Sequence, residues 1–142
     1  MGLRQSTEVV KTPSKQQQQV PPENDTKEFY QEHLQKLTTE NKILMFSKTT
    51  CTYCTQAKRL LDDLKLEYKT IELDLDANCP NDNCQKLATA LMLQTRIRTV
   101  PQIFINGKCI GGFSDLEMLS KNEKHFQDFL NNFSNIDIDK KK

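Results

Sequence analysis

Hydrophobic positions along the chain change period several times, and each change marks an element. In DTKEFYQEHLQKLTTEN (25–41), Tyr30, Leu34 and Leu37 fall on one stripe, so a helix is predicted from Asp25. ILMF (43–46) is a short unbroken apolar run, the pattern of a strand buried on both faces as in a parallel sheet. From Thr52 the apolar residues Ala57, Leu60, Leu61 and Leu64 return to helical spacing. EYKTIELDL (67–75) then alternates, with Tyr68, Ile71, Leu73 and Leu75 as its apolar positions, and is predicted to be the next strand. Strand, helix, strand in that order implies a βαβ unit with parallel strands. A second helix is predicted from about Asp82 to Gln94.

VPQIFINGKCIGG (100–112) reads as two short strands around Asn106-Gly107, a two-residue hairpin signal. Ser114 and Glu117 have the spacing of a capping box. Phe126, Phe129, Leu130 and Phe133 follow at i, i+3, i+4 and i+7 on a last helix. The pattern gives four strands of mixed direction flanked by about five helices, an α/β sandwich of thioredoxin type.

The two ends depart from this patterning. Residues 1–24 combine a glutamine run and three prolines with little apolar content, and are expected to be a disordered tail. NIDIDKKK (135–142) is expected to be a charged tail, which leaves a domain of about 25–134 within the 142 residues. With 20 basic and 19 acidic residues the net charge is +1, so no nucleic acid or other polyanion is indicated as main partner. No run approaches the roughly 18 apolar residues of a membrane span. No secretory apolar region follows Met1, so the expected setting is cytoplasmic and reducing. Paired cysteines there are more often catalytic or metal-binding than structural. MGLRQS also matches the M-G-x-x-x-[ST] pattern for myristoylation of Gly2, which would give weak membrane association at most.

The chemistry starts from Cys51 and Cys54. If the helix begins at Thr52, Cys51 is its N-cap, where free backbone N–H groups and the helix dipole favour an anion and so activate a thiol as nucleophile. Lys48 adds a nearby positive charge. Cys54 shares the apolar stripe with Ala57, Leu61 and Leu64, which makes it a shielded thiol, able to resolve a mixed disulfide but poor at attack. The competing use of a C-x-x-C pair is half of a zinc site, completed by Cys79 and Cys84; structural zinc pairs, however, usually sit on knuckle turns and not at the end of a buried strand.

Three stretches, SKTTCTYC, TVPQIFINGK and CIGGFSDLEML, stand in the order and at the separations found in dithiol glutaredoxins, and the chain resembles that family over about 25–134. The resemblance implies a glutathione-dependent oxidoreductase that reduces protein–glutathione mixed disulfides and protein disulfides. Its site would be Lys48 for the glycine carboxylate, Tyr53 on the same side, and Thr99, Val100 and Pro101 with a cis Val100–Pro101 bond. Gly111 and Gly112 would allow close backbone approach, the helix start near Ser114 would take the γ-glutamyl carboxylate, and Asp115 the ammonium. Partners would be glutathione and glutathionylated proteins, with a monomeric enzyme.

The chain also departs from the family pattern. Thr52 replaces a frequent Pro, a change associated in some relatives with a glutathione-ligated [2Fe–2S] cluster held between two subunits; the alternative is therefore a dimeric cluster carrier or sensor with Cys51 as iron ligand. Ala88 falls where the family often has a glycine-end Gln, and Arg96 where a turn Gly is usual; for Arg96 and Arg98 solvent exposure is the expected state. Cys79 and Cys84 flank a turn that could close a disulfide, but in a reducing setting two free loop thiols are expected. Cys109 reads as buried strand filler, and His33 and His125 as surface residues.

Overall fold

Parallel pairing of the two strands around the cysteine-bearing helix organises the molecule. In the computed structural model, residues 25–131 are described; the N-terminal tail with Gly2, the C-terminal tail and Phe133 lie outside them. Among the described residues the order is α1 (Lys27–Glu40), β1 (Ile43–Ser47), α2 (Thr52–Asp63), β2 (Lys69–Glu72), α3 (Cys84–Thr95), β3 (Gln102–Ile105), β4 (Lys108–Gly111), α4 (Phe113–Lys121) and a last helical stretch, α5 (123–131). The sheet runs β2-β1-β3-β4, with β1 parallel to β2 and antiparallel to β3, and β3 antiparallel to β4.

Every residue of β1 is buried, because its two faces meet two separate cores. Leu44 and Phe46 pack with Tyr30, Leu34, Leu87 and Leu91 of α1 and α3. Ile43 and Met45 pack with Ala57, Leu61, Leu116, Phe126 and Leu130 of α2, α4 and α5. The side-chain period of two thus sorts one apolar run onto opposite faces. The β3–β4 turn is the expected one: Asn106 and Gly107 have φ of 54° and 84°, the left-handed pair of a two-residue hairpin.

Four expectations need correction. Helix α1 starts at Lys27, with the Thr26 hydroxyl capping Phe29 N–H, while Asp25 turns aside to accept from Tyr30 Oη at 2.8 Å and to pair with Lys86. The predicted strand 67–75 shrinks to Lys69–Glu72: β2 is an edge strand, and a turn closes behind it where Leu75 N–H bonds Glu72 O, leaving Leu75 45% exposed. Helix α3 begins at Cys84, capped by the Asn83 side chain, not at Asp82. Helix α4 is capped by Gly112 and Asp115 rather than by Ser114 and Glu117: Gly112 N–H donates to Asp115 Oδ2 at 2.9 Å.

Candidate active site

Strand β1 ends at Ser47, and a turn closed by Cys51 N–H to Lys48 O (3.1 Å) delivers Cys51 to the N-cap of α2. There Cys54 N–H donates to Cys51 Sγ at 3.1 Å, which seats this sulfur against the first turn of the helix. The Cys51 thiol also lies 3.6 Å from Val100 O, so the nucleophile touches the loop that precedes β3. Cys51 is half-buried and Cys54 fully buried. Burial, and next the hydrogen bond with Cys51, push the Cys54 thiol up to about 11; the Ser47 hydroxyl and the Lys48 backbone oppose the rise. The two thiols are therefore unlike in burial, Cys54 being the shielded one.

Lys48 and Val100 line one groove of about 230 Å³, and Gln85, Ala88, Arg98 and Gln102 line it too. Ala88 occupies its expected place, but Gln85, one turn earlier on α3, brings an amide to the same groove. A residue-by-residue transfer from the family pattern passes over it; one step of i−3 along the helix would have found it. Arg98 is exposed, as expected, yet borders this groove. Arg96 holds the left-handed cap of α3, φ 64°, where the family has Gly.

The Val100–Pro101 bond is cis. The loop before it is organised by Gln102, a buried residue that sequence patterning assigned only to a strand. Its Nε2 donates to Ile97 O and Thr99 O at 2.9 and 3.2 Å, and its Oε1 accepts from Thr95 Oγ1 at 3.0 Å. Thr99 is held in this loop through its carbonyl, while its side chain is exposed and does not line the groove.

On the other side, Tyr53 is 61% exposed and its ring lies 6.4 Å from that of Phe113, so it bridges the starts of α2 and α4. Ser114 and Asp115 are exposed in the first turn of α4. Asp115 is partly committed, since it accepts from Gly112 N–H. Gly111, at φ 114°, has no room for a side chain: a Cβ there would collide with the Asp115 carboxylate. Gly112 is less constrained, a Cβ meeting only Pro101 O at 3.4 Å.

Cys79 and Cys84 do not remain free thiols. They form a disulfide, S–S 1.98 Å, which takes both sulfurs out of any zinc set. Free thiols are expected here from the sequence, but the turn between the two residues brings their Cα atoms within 5.1 Å, inside the span a disulfide bridges. Cys109 is half-buried, and burial pushes its thiol up.

The glutaredoxin family model matches residues 43–110. Over 121 residues the chain is 34% identical to glutaredoxin-C4, chloroplastic, of Oryza sativa subsp. japonica, covering 85% of this chain and 86% of that protein. The chain belongs to the glutaredoxin family. It is 42% identical over 91 residues to Homo sapiens glutaredoxin-2, mitochondrial, covering 64% of this chain but 52% of that protein. The chain thus spans about half the length of the human glutaredoxin it matches. The crystal structure of a buckwheat glutaredoxin–glutathione complex superposes with a TM-score of 0.67 at 33% identity, over 80% of this chain and 97% of that one. The thioredoxin-like glutaredoxin fold expected from the pattern is therefore the fold found.

Proposed function

We propose that the chain is a glutathione-dependent thiol–disulfide oxidoreductase acting on protein–glutathione mixed disulfides and, through both thiols, on protein disulfides. The observation that carries this reading is the asymmetry of the pair: a half-exposed Cys51 sulfur receiving a backbone N–H, and a buried Cys54 held protonated. In the first step the Cys51 thiolate attacks the glutathione sulfur of the mixed disulfide. A Cys51–glutathione bond forms, the old S–S bond breaks, and the target leaves as a thiolate that takes a proton. A second glutathione thiolate then attacks the bound glutathione sulfur, releasing glutathione disulfide and the Cys51 thiolate. Alternatively Cys54, once deprotonated, attacks Cys51 Sγ and expels glutathione, leaving the Cys51–Cys54 disulfide.

Lys48, with Arg98 and the Gln85 amide in the same groove, suits the glycine carboxylate, while the first turn of α4 with Ser114 and Asp115 suits the γ-glutamyl end. A buckwheat relative has been crystallised as a glutathione complex, which supports the same ligand here. The test is glutathione-coupled reduction of a small mixed disulfide. Cys51→Ser should abolish turnover, whereas Cys54→Ser should keep much of deglutathionylation and lose dithiol reduction. Equal loss in both variants would sink this division of roles.

A [2Fe–2S] cluster shared by two copies would require one accessible sulfur per chain, and Cys51, with Cys54 buried behind it, fits that requirement. Bound, the cluster would supply a one-electron redox centre. Visible absorption after anaerobic reconstitution with iron and sulfide tests for it.

A further inference from the structure

The Lys48–Cys51 turn carries both the groove's lysine and the nucleophile, yet Lys48, Thr49 and Thr50 are all exposed, so no apolar packing fixes them. Within the turn the restraint is the Cys51 N–H to Lys48 O bond. A second restraint comes from outside it. The β1–β2 ladder pairs Ser47 with Glu72, and Leu73 N–H continues it to Ser47 O at 2.8 Å. One residue further on, Asp74 faces Thr49. Its carboxylate accepts the Thr49 N–H at 3.1 and 3.0 Å and the Thr49 hydroxyl at 2.5 Å, across 25 residues of sequence.

We propose that Asp74 is a positioning residue for this site: by accepting both Thr49 donors it fixes the Lys48–Cys51 turn, and hence the placement of the Lys48 ammonium relative to the Cys51 sulfur. Asp74 touches neither group that meets substrate; it acts through Thr49. The Thr49 hydroxyl first, then its N–H, hold the Asp74 carboxyl below its ordinary range, with Lys48 a smaller contributor. Asp74 is itself anchored in a closed loop. Leu75 N–H bonds Glu72 O, Asp76 Oδ1 accepts from Cys84 N–H at 3.3 Å, and the Cys79–Cys84 disulfide completes the enclosure.

The proposal rests on the glutathione-dependent reading for its kinetic arm only. Asp74→Asn keeps an acceptor oxygen for Thr49 and removes the charge; Asp74→Ala removes both. If Asp74 acts as a clamp, Asp74→Ala should speed amide exchange at Thr49 by about tenfold. It should also raise KM for a glutathione mixed disulfide roughly threefold to tenfold, with kcat changed less than about twofold. Asp74→Asn should stay within about twofold of wild type in every measure, since an oxygen acceptor survives. Equal damage in Asn and Ala would mean the charge matters and not the clamp, and would overturn the proposal, as would an unchanged KM in Asp74→Ala. If the wild type itself shows no turnover, the functional reading falls, while unchanged Thr49 exchange in Asp74→Ala would independently refute the clamp.

Discussion

Two cysteines three residues apart differ because the helix start treats them differently. Cys51 receives a backbone N–H from the first turn of α2, whereas Cys54 faces inward and is desolvated. Ser47, equally buried, sets its hydroxyl against that rise, so Ser47→Ala should leave Cys54 harder to ionise. The expected outcome is slower Cys51–Cys54 disulfide formation after glutathionylation, with the first step unchanged; stopped-flow release of glutathione distinguishes the two. The raised Cys54 value also predicts a stability trend. A folded state that holds its thiol proton more tightly than the unfolded chain loses that advantage as pH rises from about 9 to about 11. Unfolding free energy should therefore fall over that window, Cys109 adding in the same direction, and the slope should be smaller in Cys54→Ser. The thiol asymmetry was legible in the sequence from a single inference, that Thr52 begins a helix. The roles of Ser47, Gln102 and Asp74 were not, because each depends on a partner that only tertiary structure brings near.

Elements differ in how fully their sequences declare them. ILMF was legible as a doubly buried strand because an unbroken apolar run has no solvent face to offer. Asn106-Gly107 was legible because both residues sit at positive φ, which that pair tolerates. EYKTIELDL overran because alternation in an edge strand carries no signal for where pairing stops; the turn at Glu72–Leu75 ends it. The capping box at Ser114 was displaced by the tighter geometry of Gly112 and Asp115. The loop from Asp76 to Asn83 was misread as two free thiols, and its closure by the Cys79–Cys84 disulfide has a thermodynamic consequence. Linking positions five apart in sequence removes loop entropy worth about 2 kcal/mol from the unfolded chain. Cys79→Ala with Cys84→Ala should lower stability by roughly that amount, read from denaturant midpoints at unchanged slope. A loss near zero would indicate that the helix cap at Asn83 and the Asp76 bond to Cys84 N–H hold the loop unaided.

At the scale of the whole molecule, the fold keeps its chemistry at one end of a sheet whose interior serves stability. The nucleophile sits where β1 stops and α2 starts, the Val100 loop arrives beside it from α3, and the first turn of α4 closes the other side. The two cores, separated by the central strands, meet this rim only at their margins, where Leu91 lines the groove and Phe113 packs beneath Tyr53. Met45 illustrates the consequence: it is fully buried among α2, α4 and α5 and lines no part of the groove around Lys48. Met45→Ala should cost roughly 2–5 kcal/mol through lost burial and a residual cavity. Its effect should appear as a melting temperature lowered by about 10 °C or more, while KM and kcat measured well below that melting point stay near wild type. Cys51→Ser should behave in the opposite way, with catalysis lost and the melting temperature barely moved, because the half-buried cap position accepts a hydroxyl in place of the thiol. If Met45→Ala instead raised KM at low temperature, the core beneath α2 would be setting the position of Cys51, and the separation between a stabilising interior and a chemical rim would not hold.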